Sequence, residues 1–422
     1  MKPCRLALGT AALMVVALPS VAAASPHAPT ALPTATAAAS IPTPENDPFY
    51  AAPRDIANYR DGQVIRSRQI QGYLSVLPLP VKVWQLEYRT EDNHGQPSAS
   101  VTTVLEPKTP WKGSGGRPLI SYQTAEDGVA GKCAPSYQIR AGDQAEPTNA
   151  TAETSEMFAA VEQGWAVTAP DYEGPQSEFL VAKTEAHGVL DAIRATLSFH
   201  PAALTSKSPV ALWGYSGGSF ASVVAAQYQS SYAPDLTFRA IGLGGLVGSV
   251  RASINDFSGT VFGGTIAMGI NGFIRGFPGL DVPSYLNATG KADVKAAAHD
   301  CISDAVPRFP FLSFSQIEAK PDVLDHGVIA RMLQANSPLG IKGVPTAPIY
   351  DYHAVGDELA PLQPALALLH RFCNAGVVVQ HVQSLVGEHI SEVVTGFPGA
   401  LRFFENRFAG KKPIDTCATM PK

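Results

Sequence analysis

VALWGYSGGSF, residues 210–220, places one serine between Gly214–Tyr215 and Gly217–Gly218, at the end of an apolar run and ahead of a series of small residues. G-x-S-x-G between a strand and a helix is a nucleophile elbow. The chain turns so sharply that the serine takes a strained backbone conformation and its Oγ projects above the strand ends. Side chains at the flanking positions would collide with the adjacent strand and helix, which accounts for Gly214, Gly217 and Gly218. The N-terminal amides of the following helix point at negative charge developing near Ser216. A bare G-x-S-x-G is weak by itself, and a glycine-rich turn with an incidental serine is the competing reading. The strand before and the small-residue helix after favour the nucleophile.

A serine hydroxyl requires a general base, and the base an orienting carboxylate. In this architecture the order is Ser, then Asp or Glu, then His, so the search is confined to residues after 216. His389 lies in SLVGEHISEVV, after the last strand and before the last helix. His381 reads as a strand residue, His370 as a helix residue, and His353 ends a strand as a weaker rival. For the acid, Asp357 follows the strand APIYDYH (347–353). Asp351 lies inside that strand and is expected to face a helix or turn. Glu358 is a neighbouring alternative, and a capping role competes for Asp357.

Outward from the elbow, strand and helix patterns alternate. Val83–Thr90 and Ser98–Leu105 read as an antiparallel pair around EDNHGQP, and RPLISYQ (117–123) and GWAVTAPDY (164–172) as strands. Glu153–Gln163, Val181–Leu197, Ser216–Gln229 and Leu362–Phe372 read as helices, and GVVVQHVQSL (376–385) as a late strand. The pattern predicts an α/β fold of the α/β-hydrolase kind, a mostly parallel sheet with helices on both faces. Ser216 and Asp357 lie further apart than two strand–helix units require, so residues from about 247 to 340 read as an insertion. Its segment 257–280 is apolar and glycine-rich, with Met268, Ile270, Phe273, Ile274 and Phe277; core packing is the competing reading for each.

The first 24 residues carry Lys2 and Arg5, a short apolar run, and small residues at Ala22 and Ala24. They read as a secretory signal peptide, too short to span a bilayer. Residues 25–46 read as a Pro/Ala/Thr-rich linker, and the folded body (47–422) is expected to begin at DPFY. With 45% hydrophobic and 16% charged residues the body can build a large core. A formal net charge of −5 and the lack of a long basic run argue against nucleic acid or anionic membrane as partner. No other segment reads as transmembrane. Beyond Cys4, the cysteines Cys133, Cys301, Cys373 and Cys417 form an even set suited to two disulfides in an exported chain. Three pairings are open. Cys373–Cys417 would tie down the tail, and Cys133–Cys301 would then pin the insertion. No C-x-x-C spacing or Cys/His cluster suggests a metal.

GYSGG (214–218), HAVGDELAP (353–361), GEH (387–389), SYQTAEDG (121–128), CAPSY (133–137), GWAVTAPDYEGP (164–175) and DPFY together resemble the secretory lipase family over roughly residues 47–417. The resemblance implies Ser216 as nucleophile, Asp357 as acid and His389 as base. It implies an oxyanion hole built from Asp127 and the Gly217 N–H, although a turn-capping Asp127 is an equal rival. It further implies a helical lid (about 247–340) over an acyl-binding tunnel. With the even cysteine count it leads to the pairings Cys133–Cys301 and Cys373–Cys417. The expected activity is secreted carboxylic ester hydrolysis, foremost of triacylglycerols at a lipid–water interface, without metal or organic cofactor. A non-lipase esterase or acyltransferase, or an inactive binding protein on the same fold, are the alternatives.

Overall fold

The computed structural model describes residues 40–145, 148–202 and 204–422. The expected signal peptide and most of the expected linker lie outside them. Packing begins at Ile41, ahead of the expected Asp47. The Glu45 carboxylate accepts the Gly131 N–H at 2.8 Å, and Asp47 pairs with Arg68 and Arg140. Residues 41–46 are therefore part of the body rather than linker.

A nine-stranded sheet organises the chain. Its strands are β1 (Val64–Ile70), β4 (Lys82–Glu91), β5 (Pro97–Glu106), β6 (Leu119–Gln123), β7 (Ala166–Pro170), β8 (Val210–Tyr215), β9 (Phe238–Gly244), β10 (Ile349–Ala354) and β11 (Val379–Ser384). A small hairpin of β2 (Tyr73–Leu74) and β3 (Leu77–Pro78) stands beside it. The spatial order is β1-β4-β5-β7-β6-β8-β9-β10-β11. Pairings from β1 to β7 across that order are antiparallel, and those from β7 to β11 are parallel. This is the α/β-hydrolase fold.

The helices are α1 (Pro135–Ala141), α2 (Asn149–Ala152), α3 (Thr154–Glu162), α4 (Ala182–Ser198), α5 (Gly217–Tyr232), α6 (Val250–Phe257), α7 (Gly264–Gly276), α8 (Ala288–Ala296), α9 (Ile302–Arg308), α10 (Phe314–Ile317), α11 (Gly327–Ala335), α12 (Leu362–Asn374) and α13 (His389–Phe408). Strand alternation distributes the core between two faces. In β8, Val210 and Leu212 join the layer containing α4, α5 and α12, whereas Ala211, Trp213 and Tyr215 join the layer of α3 and α13. In β10, Ile349 faces the first layer and Tyr350 and Tyr352 the second.

Besides the small β2–β3 hairpin, two strands of the main sheet escape the sequence reading. β1 (VIRSRQI) is an edge strand with a largely polar face. β9 (FRAIGLG) is central but carries glycines, which lower strand propensity. Those glycines are required by packing: a Cβ on Gly242 would press on Phe404, and one on Gly244 on Tyr352. Between β9 and β10 the chain runs through α6–α11. The disulfide Cys133–Cys301 joins the turn before α1 to the residue before α9, and Cys373–Cys417 joins α12 to the tail.

Candidate active site

Ser216 stands between β8 and α5 with φ 52° and ψ −121°, the strained geometry that the elbow sequence implies. Its N–H is held by the Gly244 carbonyl at 2.9 Å. A side chain on Gly218 would overlap the Gln123 carbonyl and one on Gly214 the Gly218 carbonyl, so the crossing of β8, α5 and the end of β6 tolerates no Cβ.

His389 is the first residue of α13. The preceding Glu388 caps that helix through Ile390 N and Ser391 N. The Tyr215 hydroxyl donates to the His389 carbonyl at 2.6 Å, and the His389 N–H donates to Glu358 Oε2 at 3.1 Å. The ring is thereby fixed with Nε2 2.8 Å from Ser216 Oγ and Nδ1 2.8 Å from each Asp357 oxygen. Asp357, in the loop after β10, also accepts the N–H groups of Leu359 (3.0 Å) and Ala360 (2.7 Å). Burial by itself would raise its pKa. The His389 hydrogen bond and the charges of His389 and His353, with the Ala360 N–H, overrule burial and hold the carboxyl below its ordinary 3.8.

The rival residues have other partners. Glu358 meets the His389 backbone, not its ring. His353 Nε2 lies 2.8 Å from the Ala360 carbonyl and 3.4 Å from Asp357, bracing the acid loop. His370, on α12, contacts the Pro421 carbonyl. Asp351, on the helix-covered face of β10 with Ile349, bonds to a neighbouring strand rather than to a helix or turn. It is the in-register partner of His381 on β11, with Oδ2 2.6 Å from His381 Nδ1.

Asp127 follows β6 with φ 38° and is 6% exposed. Its Oδ2 accepts from Asn149 Nδ2 at 3.0 Å, and its Oδ1 faces Gly217 so closely that a Cβ there would overlap it. Burial pushes the carboxyl up to about 6, against the pull of the His389 charge and the Asn149 hydrogen bond. Gly217 opens α5, so its N–H has no intrahelical acceptor.

The sequence reading missed a group of buried acids behind this loop. Glu126, Glu153, Glu173 and Glu185 are nearly inaccessible, and burial drives each well above the ordinary glutamate range. Like charges among them add to that shift. They come from four separate segments, so no local spacing announces them. Among the described residues no group of three or more His, Cys, Asp and Glu side chains is arranged to hold a metal ion.

A cavity of about 620 Å³ opens beside Ser216, within the size range of ligand pockets. Ser216, Gly217, Asp127 and His389 stand at one part of its lining; Gly269, Ile270 and Phe273 of α7 and residues of α6, α9 and α11 supply apolar walls. Of the apolar residues singled out in 257–280, Ile270 and Phe273 line it. Met268, Ile274 and Phe277 do not, and Met268 packs in a separate core cluster with Val129 and Phe179.

A model of the family described as "Secretory lipase" matches residues 139–416. The chain belongs to the secretory lipase family. It is a carboxylic ester hydrolase by that membership. It is 35% identical to Lipase 4 of Candida albicans over 395 residues, spanning 89% of this chain and 84% of that one. It is 33% identical to a Mycobacterium tuberculosis protein named "Probable inactive lipase MT1628", over 88% of this chain and 84% of that one. The solved structure of Candida antarctica lipase A superposes with a TM-score of 0.82 at 30% identity, covering 91% of this chain and 90% of that chain.

Proposed function

We propose that this secretory lipase hydrolyses acylglycerols through a Ser216–His389–Asp357 triad and an acyl-enzyme. The observation that carries the reading is the unbroken hydrogen-bond chain from Ser216 Oγ through His389 to Asp357 at the wall of an apolar cavity. Ser216 Oγ bonds to the ester carbonyl carbon while His389 Nε2 takes its proton. Asp357 fixes the imidazole so that Nδ1 carries hydrogen and Nε2 is free to accept, then stabilises the imidazolium. The carbonyl oxygen, now anionic, rests between the Gly217 N–H and Asp127. His389 returns the proton to the departing alkoxide, which leaves as alcohol. Water then attacks the acyl-enzyme with His389 as base again, releasing the acid and restoring Ser216.

The apolar cavity walls suit a long acyl chain, since each buried CH₂ contributes about 0.8 kcal/mol. On this reading α6–α11 form the lid. Leu385, Val386, Ile390 and Val394 are exposed, and Ile390 and Val394 also line the cavity. That apolar rim suits contact with a lipid–water interface. The two disulfides and the family fit an exported chain.

The relative named as an inactive lipase makes a binding role on the same fold a concrete alternative. Fluorophosphonate labelling separates the two. The triad reading expects covalent labelling at Ser216, and Ser216→Ala protein that folds normally yet loses turnover of p-nitrophenyl esters and emulsified triglyceride by at least about a thousandfold. A folded native protein that neither labels nor turns over ester would leave the binding role.

A further inference from the structure

One side of the site is held by residues that the triad does not use. The segment opening α2 and leading into α3 grips the end of β6 and the loop after it at three points. Glu153 accepts the Ala125 N–H and the Tyr122 hydroxyl, both at 2.9 Å, and Asn149 Nδ2 donates to Asp127 Oδ2 at 3.0 Å. An amide nitrogen donates and does not accept, so Oδ2 is engaged as an acceptor. The other oxygen, Oδ1, is the one turned toward Gly217.

A carboxylate at Oδ1 would repel an oxyanion; a carboxylic acid there would donate to it. The surroundings favour the acid. Burial raises the Asp127 pKa to about 6. The titratable groups that interact with it are Glu126, Glu153, Tyr172, Glu173 and Glu185, each itself driven up by burial, and the opposing charge of His389.

We propose that Asn149 is a positioning residue of the oxyanion hole: by donating to Asp127 Oδ2 it directs the carboxylic proton to Oδ1, where it meets the oxyanion beside the Gly217 N–H. The proposal rests on the reading of Ser216 as nucleophile and Asp127 as oxyanion donor. It makes activity depend on two opposite protonation states, a neutral His389 and a protonated Asp127. Loss of activity at high pH then belongs to Asp127.

The test is kcat and KM for p-nitrophenyl butyrate from pH 4.5 to 9, with thermal unfolding as the folding control. Asn149→Ala is expected to lower kcat about tenfold with little change in KM. It should also move the alkaline limb to higher pH, because the Asn149 hydrogen bond holds the Asp127 pKa down. The isosteric Asn149→Asp, which replaces the donor by an acceptor, should shift both quantities the same way if the alanine variant does not fold. Asp127→Asn should remain within about tenfold of the native kcat and lose the alkaline limb, whereas Asp127→Leu should lose on the order of a hundredfold. A normal alkaline limb in the Asn149 variants, with or without a lower kcat, overturns the proposal, as does a limb that persists in Asp127→Asn. Failure of the triad reading would show separately, as turnover that survives Ser216→Ala.

Discussion

Two aspartate–histidine pairs lie close together in this molecule. Asp351 and His381 are cross-strand partners inside β10 and β11, 2.6 Å apart at their nearest atoms. Asp357 and His389 come just after the same two strands, 2.8 Å apart. By hydrogen-bond length alone the first pair is the tighter. The difference lies in what the second ring nitrogen can reach. His381 Nε2 is directed at Gln383 within its own strand, at 3.4 Å, while His389 Nε2 meets Ser216 Oγ. Backbone at strand ends can carry a side chain over the sheet's edge; backbone inside a ladder cannot. The pairing of an acid with a histidine is thus common structural chemistry, and its place relative to the elbow gives it a catalytic reading.

The sharpest way to break this comparison is to remove the same carboxylate charge from each pair. Asp357→Asn keeps the shape but leaves His389 in the wrong tautomer, and kcat for any ester should fall on the order of 10⁴-fold. Asp351→Asn should leave kcat and KM near native values. Comparable losses from the two substitutions would mean that the strand pair also serves catalysis.

Stability should depend on pH in opposite senses for the two pairs. Losing the Asp351 charge should cost roughly 3–5 kcal/mol in unfolding free energy, the range for breaking a buried pair, because both side chains are almost fully buried. Burial by itself would lower the His381 pKa, but the Asp351 hydrogen bond and charge overrule it and raise it above 6.5. The pair's stabilisation is therefore complete below pH 6.5 and fades as pH rises through the higher folded value. Asp357 behaves oppositely: its carboxyl is held below 3.8, so its contribution is present above that pH and is lost as pH falls through the lower folded value. Denaturant unfolding of Asp351→Asn at pH 5.5 and pH 9 checks the first statement; an equal deficit at both would refute it.

The sequence made one pair legible and hid the other for a physical reason. The elbow at Ser216 announces itself because sterics force small residues around it, and chain order then restricts acid and base to loops after later strands. The Asp351–His381 contact depends on which strands are neighbours and in what register, and neither is encoded locally. The same holds for Asn149 at Asp127 and for the buried glutamates, which meet only when the loops after β6 and β7, the α2–α3 segment and α4 converge. The missed strands failed differently. Gly242 and Gly244 weaken the strand pattern of β9 while making room for Phe404 and Tyr352, so long-range packing overrode local preference.

The smallest expected effect asks whether the pair that meets Ser216 also serves a deep acyl site. Gly269 and Gly272 both lie on α7, but they are not equivalent as sites for a plug in that channel. A Cβ at Gly272 would overlap the Phe179 backbone, so any substitution there disturbs the fold. Gly269 lines the cavity, and a Cβ there meets only Leu180 Cδ1 at 3.5 Å, an ordinary contact. Gly269→Leu also replaces glycine inside α7, which favours the helix by roughly 0.5–1 kcal/mol. If its side chain displaces about two methylenes of a bound acyl chain, kcat/KM for long-chain esters falls by about 1.6 kcal/mol, roughly fifteenfold. Acetate and butyrate esters, too short to reach the plug, should change little, and Tm should hold or rise. An equal fall for every chain length would place the acyl chain elsewhere and leave α7 as core around a cavity that the substrate does not enter.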